Sequence, residues 1–243
     1  MSEIYKAPEA ELVKPIPVGE YGSLETAMSG DYSFDPVELY KKAWENLMGL
    51  KATLWIALIV YAVIAGVLGA ITAFVFGSND PLSFGFGDLI GQILSTFLLS
   101  PLYAGLFMIT LKHSIGSPIQ VGELFKHYDK ILPIFLVVFL TQLLVMIGLV
   151  LLFIPGIYLA VAFSFALPLV VEKNMSPIEA LKVSRKVVHH KWFSFAGFLL
   201  LGLLIVIVGA IALLVGLVWA IPLVAFAWAM AYRDIFGIDT ANQ

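Results

Sequence analysis

The chain of 243 residues contains no cysteine, which excludes disulfides, thiolate metal sites and cysteine nucleophiles. Charge is scarce as well: charged residues make up 13% of the sequence and hydrophobic ones 60%. Three long blocks, Ala52 to Leu111, Ile131 to Val171 and Trp192 to Tyr232, hold no Lys or Arg at all. A soluble domain of this length does not carry such stretches. The familiar signatures of catalysis are also missing: there is no phosphate-binding glycine loop, no GxSxG, no HExxH and no clustered carboxylates. The four histidines, His113, His127, His189 and His190, include no i, i+4 pair of the kind that holds a metal on a helix. We therefore expect no cofactor and no enzyme activity. The first 50 residues have no apolar run behind a basic start, so no cleavable signal peptide is expected.

What is present is a strict segregation of charge. All 14 basic residues fall in the four stretches that flank the apolar blocks. Loops on the cytoplasmic side of a membrane carry the excess of Lys and Arg, so each block must leave the cytoplasm and return to it. A helix rises about 1.5 Å per residue and needs roughly 20 apolar residues to cross about 30 Å of hydrocarbon. The second and third blocks, of 41 residues each, hold two crossings apiece. The first is longer because its middle, Gly77 to Asp88, is polar, with two acids and no base. The expectation is an all-α polytopic membrane protein with six spans at about 52–77, 89–111, 131–153, 156–172, 192–211 and 214–232. Both termini lie in the cytoplasm of a bacterial inner membrane, Pro155-Gly156 marks the second outer turn, and Gly216 marks the third.

Each block is preceded by a helix-start signal: Asp35-Pro36-Val37-Glu38, Ser117-Pro118-Ile119-Gln120 and Ser176-Pro177-Ile178-Glu179. A capping side chain, Pro at the first helical position and an acid or amide at the third satisfy the amides of a first turn. Each signal opens an amphipathic segment of the length of a short surface helix. The apolar stripes are Val37, Tyr40, Trp44, Leu47 and Met48; then Val121, Leu124, Phe125, Tyr128 and Leu132; then Ile178, Leu181, Val188 and Trp192. A shift of 61 residues superimposes Ile131 on Trp192 and Pro155 on Gly216. We read residues 1–34 as a disordered or extended cytoplasmic tail. Residues 35–243 form one membrane domain of three units, 35–116, 117–175 and 176–243, each an interfacial helix followed by a transmembrane hairpin.

The spans read as free of ionisable side chains. Their most informative polar residues are Gln92, Ser95, Thr141 and Gln142, a candidate intramembrane cluster, because a buried amide takes partners from neighbouring helices or from a ligand. On the basic side, Lys182, Arg185, Lys186 and Lys191 fall in one amphipathic segment and form a candidate contact for anionic lipid, each charge worth about 1 kcal/mol at such a surface. The expected partners are membrane lipids and a protein bound through the tail or helix surfaces, with no nucleic acid.

Phe139 to Gly148 (FLTQLLVMIG), Ile154 to Ala160 (IPGIYLA), and then Pro168, Met175, Ala180 and Ser184, resemble the YciC-like family of uncharacterised bacterial inner-membrane proteins. They are also similar to a wider group that includes the membrane domain found beside some glycerophosphodiester phosphodiesterases. The resemblance implies six-span helical topology and carries no activity or catalytic residues. Two functions stay open: scaffolding, assembly or regulation of envelope partners, which the uncharged spans favour, and a permease or lipid-handling role with a polar cavity between hairpins.

Overall fold

The computed structural model describes residues 21–77, 85–211 and 215–239, and among them it is helical with no strand. Ten helices run in order: α1 Leu24–Ser29, α2 Pro36–Glu45, α3 Leu50–Phe76, α4 Phe86–Ser114, α5 Ile131–Leu151, α6 Phe153–Ala162, α7 Ala166–Glu172, α8 Pro177–His190, α9 Trp192–Ile211 and α10 Leu217–Phe236. Taken with α6 and α7 as one broken element, six of them are long and apolar enough to cross a membrane. The protein is thus a multi-pass, all-helical membrane protein.

Local chemistry sets several boundaries. The Asp35 side chain accepts from the amides of Val37 and Glu38 at 2.9 and 3.1 Å, and Ser176 accepts from the amide of Glu179 at 3.4 Å. Both caps precede Pro at the first helical position, where its missing N–H costs nothing. The third expected cap fails. Residues 117–120 are not helical, and the segment beyond them forms two short 3₁₀ turns, Val121–Phe125 and Tyr128–Lys130, in place of a surface helix. Tertiary contact explains this: the first 3₁₀ turn lies on α4 at Gly105, where a Cβ would come within 2.5 Å of Leu124 Cα. A regular amphipathic helix with side chains toward α4 could not approach so closely.

The fourth crossing also departs from expectation. It is not one helix over 156–172; it starts at Phe153 and breaks at 163–165. The reversal falls at Leu152, so Pro155 sits in the first turn of α6 rather than in the loop. A break inside a membrane strands backbone groups that hydrocarbon cannot satisfy. Here the buried Ser184 of α8 supplies both partners, donating to the Ala162 carbonyl at 2.8 Å and accepting from the Phe165 amide at 3.2 Å. The break turns Phe165 into the core, where its ring meets those of Phe195, Trp228, Tyr232 and Phe236.

Helices α3 and α4, α5 and α6, and α9 and α10 pack along one another. The short segments cross over between these pairs. The first 3₁₀ turn rests on α3 and α4, α8 on α5, α6 and α7, and α2 on α9 and α10. At this last contact Tyr40 donates to the Phe198 carbonyl at 3.3 Å, over Gly202, where a Cβ would meet the Tyr40 hydroxyl at 2.3 Å. The three interlocks tie the last pair of long helices back to the first amphipathic helix.

The buried faces of these segments meet protein, but they are not the expected stripes: Phe125, Tyr128, Leu132 and Ile178 are exposed. Leu39, Tyr40, Ala43 and Leu47, in and just beyond α2, are buried, whereas Val37, Trp44 and Met48 of the expected stripe are exposed. In α8 the buried face is Ala180, Leu181, Val183, Ser184, Val187 and Val188. The described part of the expected tail is ordered too. Residues 24–29 form α1, closed by a reciprocal Ser23–Thr26 cap, and Phe34 stacks on Phe195 at 4.1 Å. Residues 1–20 of the expected tail, and 78–84 of the polar outer segment, lie outside the described residues.

The crossings divide sharply by burial. In their most apolar stretches, 11, 17 and 22% of residues are buried in the helices that leave the basic side, α3, α5 and α9. In those that return to it, α4, α6–α7 and α10, the shares are 56, 61 and 56%.

Candidate functional site

Between the helices lies a chamber of about 620 Å³, open on part of its boundary, to which all six crossings contribute. Its apolar walls include Leu54 and Leu58 of α3 and Val206, Ile221 and Val224 of α9 and α10. Polar side chains come chiefly from the other crossings: Tyr103 and Thr110 of α4, Thr141 and Gln142 of α5, and Ser164 at the break between α6 and α7. Thr110 is committed to its own helix, donating to the Phe107 carbonyl at 2.7 Å. Tyr40 also reaches the chamber and is held by Phe198. The indole N–H of Trp228, another lining residue, is itself sealed off among neighbouring rings, with the Phe107 ring edge-on at 5.6 Å.

The expected intramembrane cluster is therefore split. Thr141 and Gln142 line the chamber, while Gln92 and Ser95 do not. Gln92 is exposed on the first half of α4 and makes its contact within the helix, from Nε2 to Thr96 Oγ1 at 3.5 Å. Tyr103 and Ser164 replace the missing pair. Ser164 stands out in the sequence as a polar residue in an apolar run, but only the break in the helix turns it toward the chamber group.

The expected basic surface is also divided. Lys182, Arg185 and Lys186 are exposed along one face of α8, and among the described residues none is paired with a carboxylate. Lys191 points elsewhere. Its ammonium donates to the Tyr32 carbonyl and lies 4.9 Å from the centre of the Tyr32 ring. Tyr32 in turn donates to the Val187 carbonyl at 2.7 Å, and burial pushes its phenol up to about 12. An open cleft lies where α8 meets α9, with Tyr158, His189 and Trp192 in its wall; Tyr158 Oη and His189 Nδ1 are 3.0 Å apart.

The spans are not free of ionisable groups, because Glu172, the last residue of the fourth crossing, is completely buried. Its carboxylate accepts from Tyr232 Oη at 2.8 Å and from the Asp239 amide at 2.7 Å, and Lys173 Nζ stands 3.3 Å away. Lys173 also bridges to Asp239 at 2.7 Å. A second buried carboxylate, Glu123, takes Lys112 at 3.1 Å and Lys126. An acid next to a lysine at the end of an apolar run reads as an interfacial pair; its burial depends on partners 60 and 67 residues away. Both clusters are compensated by cations and lie apart from the chamber lining, which suits them to fastening the basic ends of the helices.

Comparison with known proteins agrees with the membrane architecture and supplies no activity. No family model matches the chain, and no solved structure matches it. It is 25% identical over 218 residues to an uncharacterised protein of Mycobacterium bovis, covering 80% of this chain, and likewise to one of Mycobacterium tuberculosis. The chain spans 66% of the length of these relatives. It is also 33% identical over 97 residues to a UPF0259 membrane protein of Sodalis glossinidius, a match that covers 40% of this chain and 36% of that one. These similarities place the chain with uncharacterised proteins, one of them described as a membrane protein.

Proposed function

We propose that this is a non-catalytic membrane protein that holds a lipid-like molecule in the chamber between its six crossings. The chamber is the observation that carries the reading. Its volume of about 620 Å³ lies within the range of ligand sites, about 300–1,000 Å³, and it combines mostly apolar walls with a few polar groups, as such sites do. A scaffold works through its outer surface and has no use for internal space, so we rank lipid handling above scaffolding. General acid–base catalysis needs a titratable group matched to its task, and no carboxylate, histidine or lysine lines the chamber.

The proposal extends to location. An inner-membrane protein with its basic side and both termini in the cytoplasm follows from the segregated Lys and Arg. Kinship with the YciC-like proteins rests on the Phe139–Gly148 and Ile154–Ala160 motifs. Lys182, Arg185 and Lys186 would meet anionic headgroups, with Lys191 bracing the α8–α9 junction instead.

Filling the chamber tests the reading. Native mass spectrometry of gently purified protein should show a lipid-sized adduct that is lost in Ala225→Trp, while helix content and melting temperature change little. A wild type without adduct that carries a stoichiometric protein, released on deleting residues 1–20, would favour scaffolding. Orientation has its own check: cysteines placed at Lys186 and Ser83 should label from opposite sides, Lys186 from the cytoplasm.

A further inference from the structure

We infer that the molecule held in the chamber is an uncharged amphiphile with a single chain, whose hydrogen-bonding head seats on Tyr103, Thr141, Gln142 and Ser164. This rests on the reading of the chamber as a lipid site and narrows it to a chemical class.

The lining contains no Asp, Glu, Lys, Arg or His. Of the cations at the basic ends, Lys112 and Lys126 are committed to Glu123, Lys173 to Glu172 and Asp239, and Arg233 to Asp234; Lys51 lies over the Trp219 ring and, like Lys182, Arg185 and Lys186, is not part of the lining. A carboxylate, phosphate or ammonium head would enter a mostly apolar space without a counter-ion, which is the costliest way to bury a charge.

An unadorned hydrocarbon is disfavoured for the opposite reason. Among the described residues the side chains of Tyr103, Thr141, Gln142 and Ser164 make no hydrogen bond within the protein, in contrast to Tyr40 and Thr110. Polar groups within a bilayer take partners wherever partners exist. The three hydroxyls donate and accept, and the Gln142 amide does both through separate atoms. Such a set matches an ester, amide or hydroxyl head.

Size and distribution give the rest. About 620 Å³ corresponds to roughly twenty water-sized volumes of ~30 Å³, room for one chain and a small head. The polar four come from α4, α5 and the α6–α7 break, whereas the residues that α3 and α9 contribute are apolar.

The test uses the full-length protein in phosphatidylcholine nanodiscs with four diazirine probes of equal chain length: a monoacylglycerol, a fatty acid above its pKa, an alkyl trimethylammonium and an alkane. Labelled residues are mapped by peptide mass spectrometry. The monoacylglycerol should label residues 138–142 and 221–228 about tenfold more than any other probe. The double variant Tyr103→Phe, Gln142→Leu should lose most of that preference, since each hydrogen bond contributes about twofold to tenfold in affinity, with alkane labelling undiminished. Should the double variant fail to fold, Ser164→Ala must still lower the monoacylglycerol preference at least twofold. A charged probe or the alkane labelling the chamber as well as the monoacylglycerol overturns the assignment of class while leaving the chamber a lipid site. All four probes labelling only the outward faces of α3, α5 and α9 overturns the lipid site itself.

Discussion

Helix α3 and the second half of α4 pack against each other, yet they meet opposite surroundings. Only Leu50, Leu54, Ala57 and Thr72 of α3 are buried and Ile59, Val63, Val67, Ile71 and Phe74 are exposed, while residues 100–111 are buried almost without interruption. The same contrast separates α9 from the second half of α10. The exposed helices have the higher mean hydropathy, and the buried halves place small and polar residues at their contacts, Ser100, Ala104, Gly105 and Thr110 in α4 and Ala227, Ala229 and Ala231 in α10, whereas the small residues of α3, such as Gly66, Gly69 and Ala70, are exposed. In water the relation would be reversed. In lipid, apolar surface gains nothing by leaving the solvent, so helices associate through close backbone approach and interhelical hydrogen bonds.

The largest expected effect probes the buried carboxylates that fasten the returning helices. Glu172→Ala leaves Lys173 with Asp239 alone and removes the acceptor of Tyr232 and of the Asp239 amide, and removing one partner of a buried pair costs about 3–5 kcal/mol. Chemical unfolding in mixed micelles should show that loss, whereas Glu38→Ala, which breaks the exposed pair with Lys42, should change stability by less than about 1 kcal/mol. Equal effects would refute the division into a fastened core and a lipid-facing exterior.

Next in size is Gly105→Ala. Its Cβ would collide with the backbone at Leu124, and overpacking of this kind costs about 1–3 kcal/mol. Ser184→Ala should cost a similar amount, about 1–3 kcal/mol, because it leaves the Ala162 carbonyl and the Phe165 amide unsatisfied. Faster hydrogen exchange confined to residues 159–169 would locate that loss at the helix break.

The smallest expected effect has the opposite sign. At Gly66 and Gly69 of α3 nothing lies within 4 Å of an added Cβ, so Gly66→Ala should stabilise the protein by about 0.5–1 kcal/mol through helix propensity. A loss at Gly66 as large as that at Gly105 would show α3 to be packed against a further protein surface and would break the comparison.

Features governed by near neighbours are legible in the sequence. The caps at Asp35 and Ser176 depend on residues two or three positions away, and the crossings on runs of about 20. The Ser117 cap has the same local pattern and fails because Gly105 admits the chain onto α4. The break at 163–165 is announced only by Pro168, whose missing N–H leaves the Ser164 carbonyl without an intrahelical donor, and its stabilising hydroxyl comes from Ser184, 19 to 22 residues on. Gln92 and Gln142 look alike in sequence, both lone amides in apolar runs. One faces outward near the start of α4 and the other reaches the chamber, and that distinction rests on how α4, α5 and the broken fourth crossing are rotated against one another.

By itself, then, the sequence determined the membrane as solvent, the number of crossings and the side on which the charges gather, because hydrophobic length and Lys/Arg placement act residue by residue. Tertiary structure alone decided which apolar helices are core, that Glu172 is buried, and which polar side chains share a chamber. The physical reason is that lipid tails and packed protein are alike to an apolar side chain. Hydropathy cannot tell one from the other, and the choice falls to close approach at small residues and to hydrogen bonds between helices far apart in the chain.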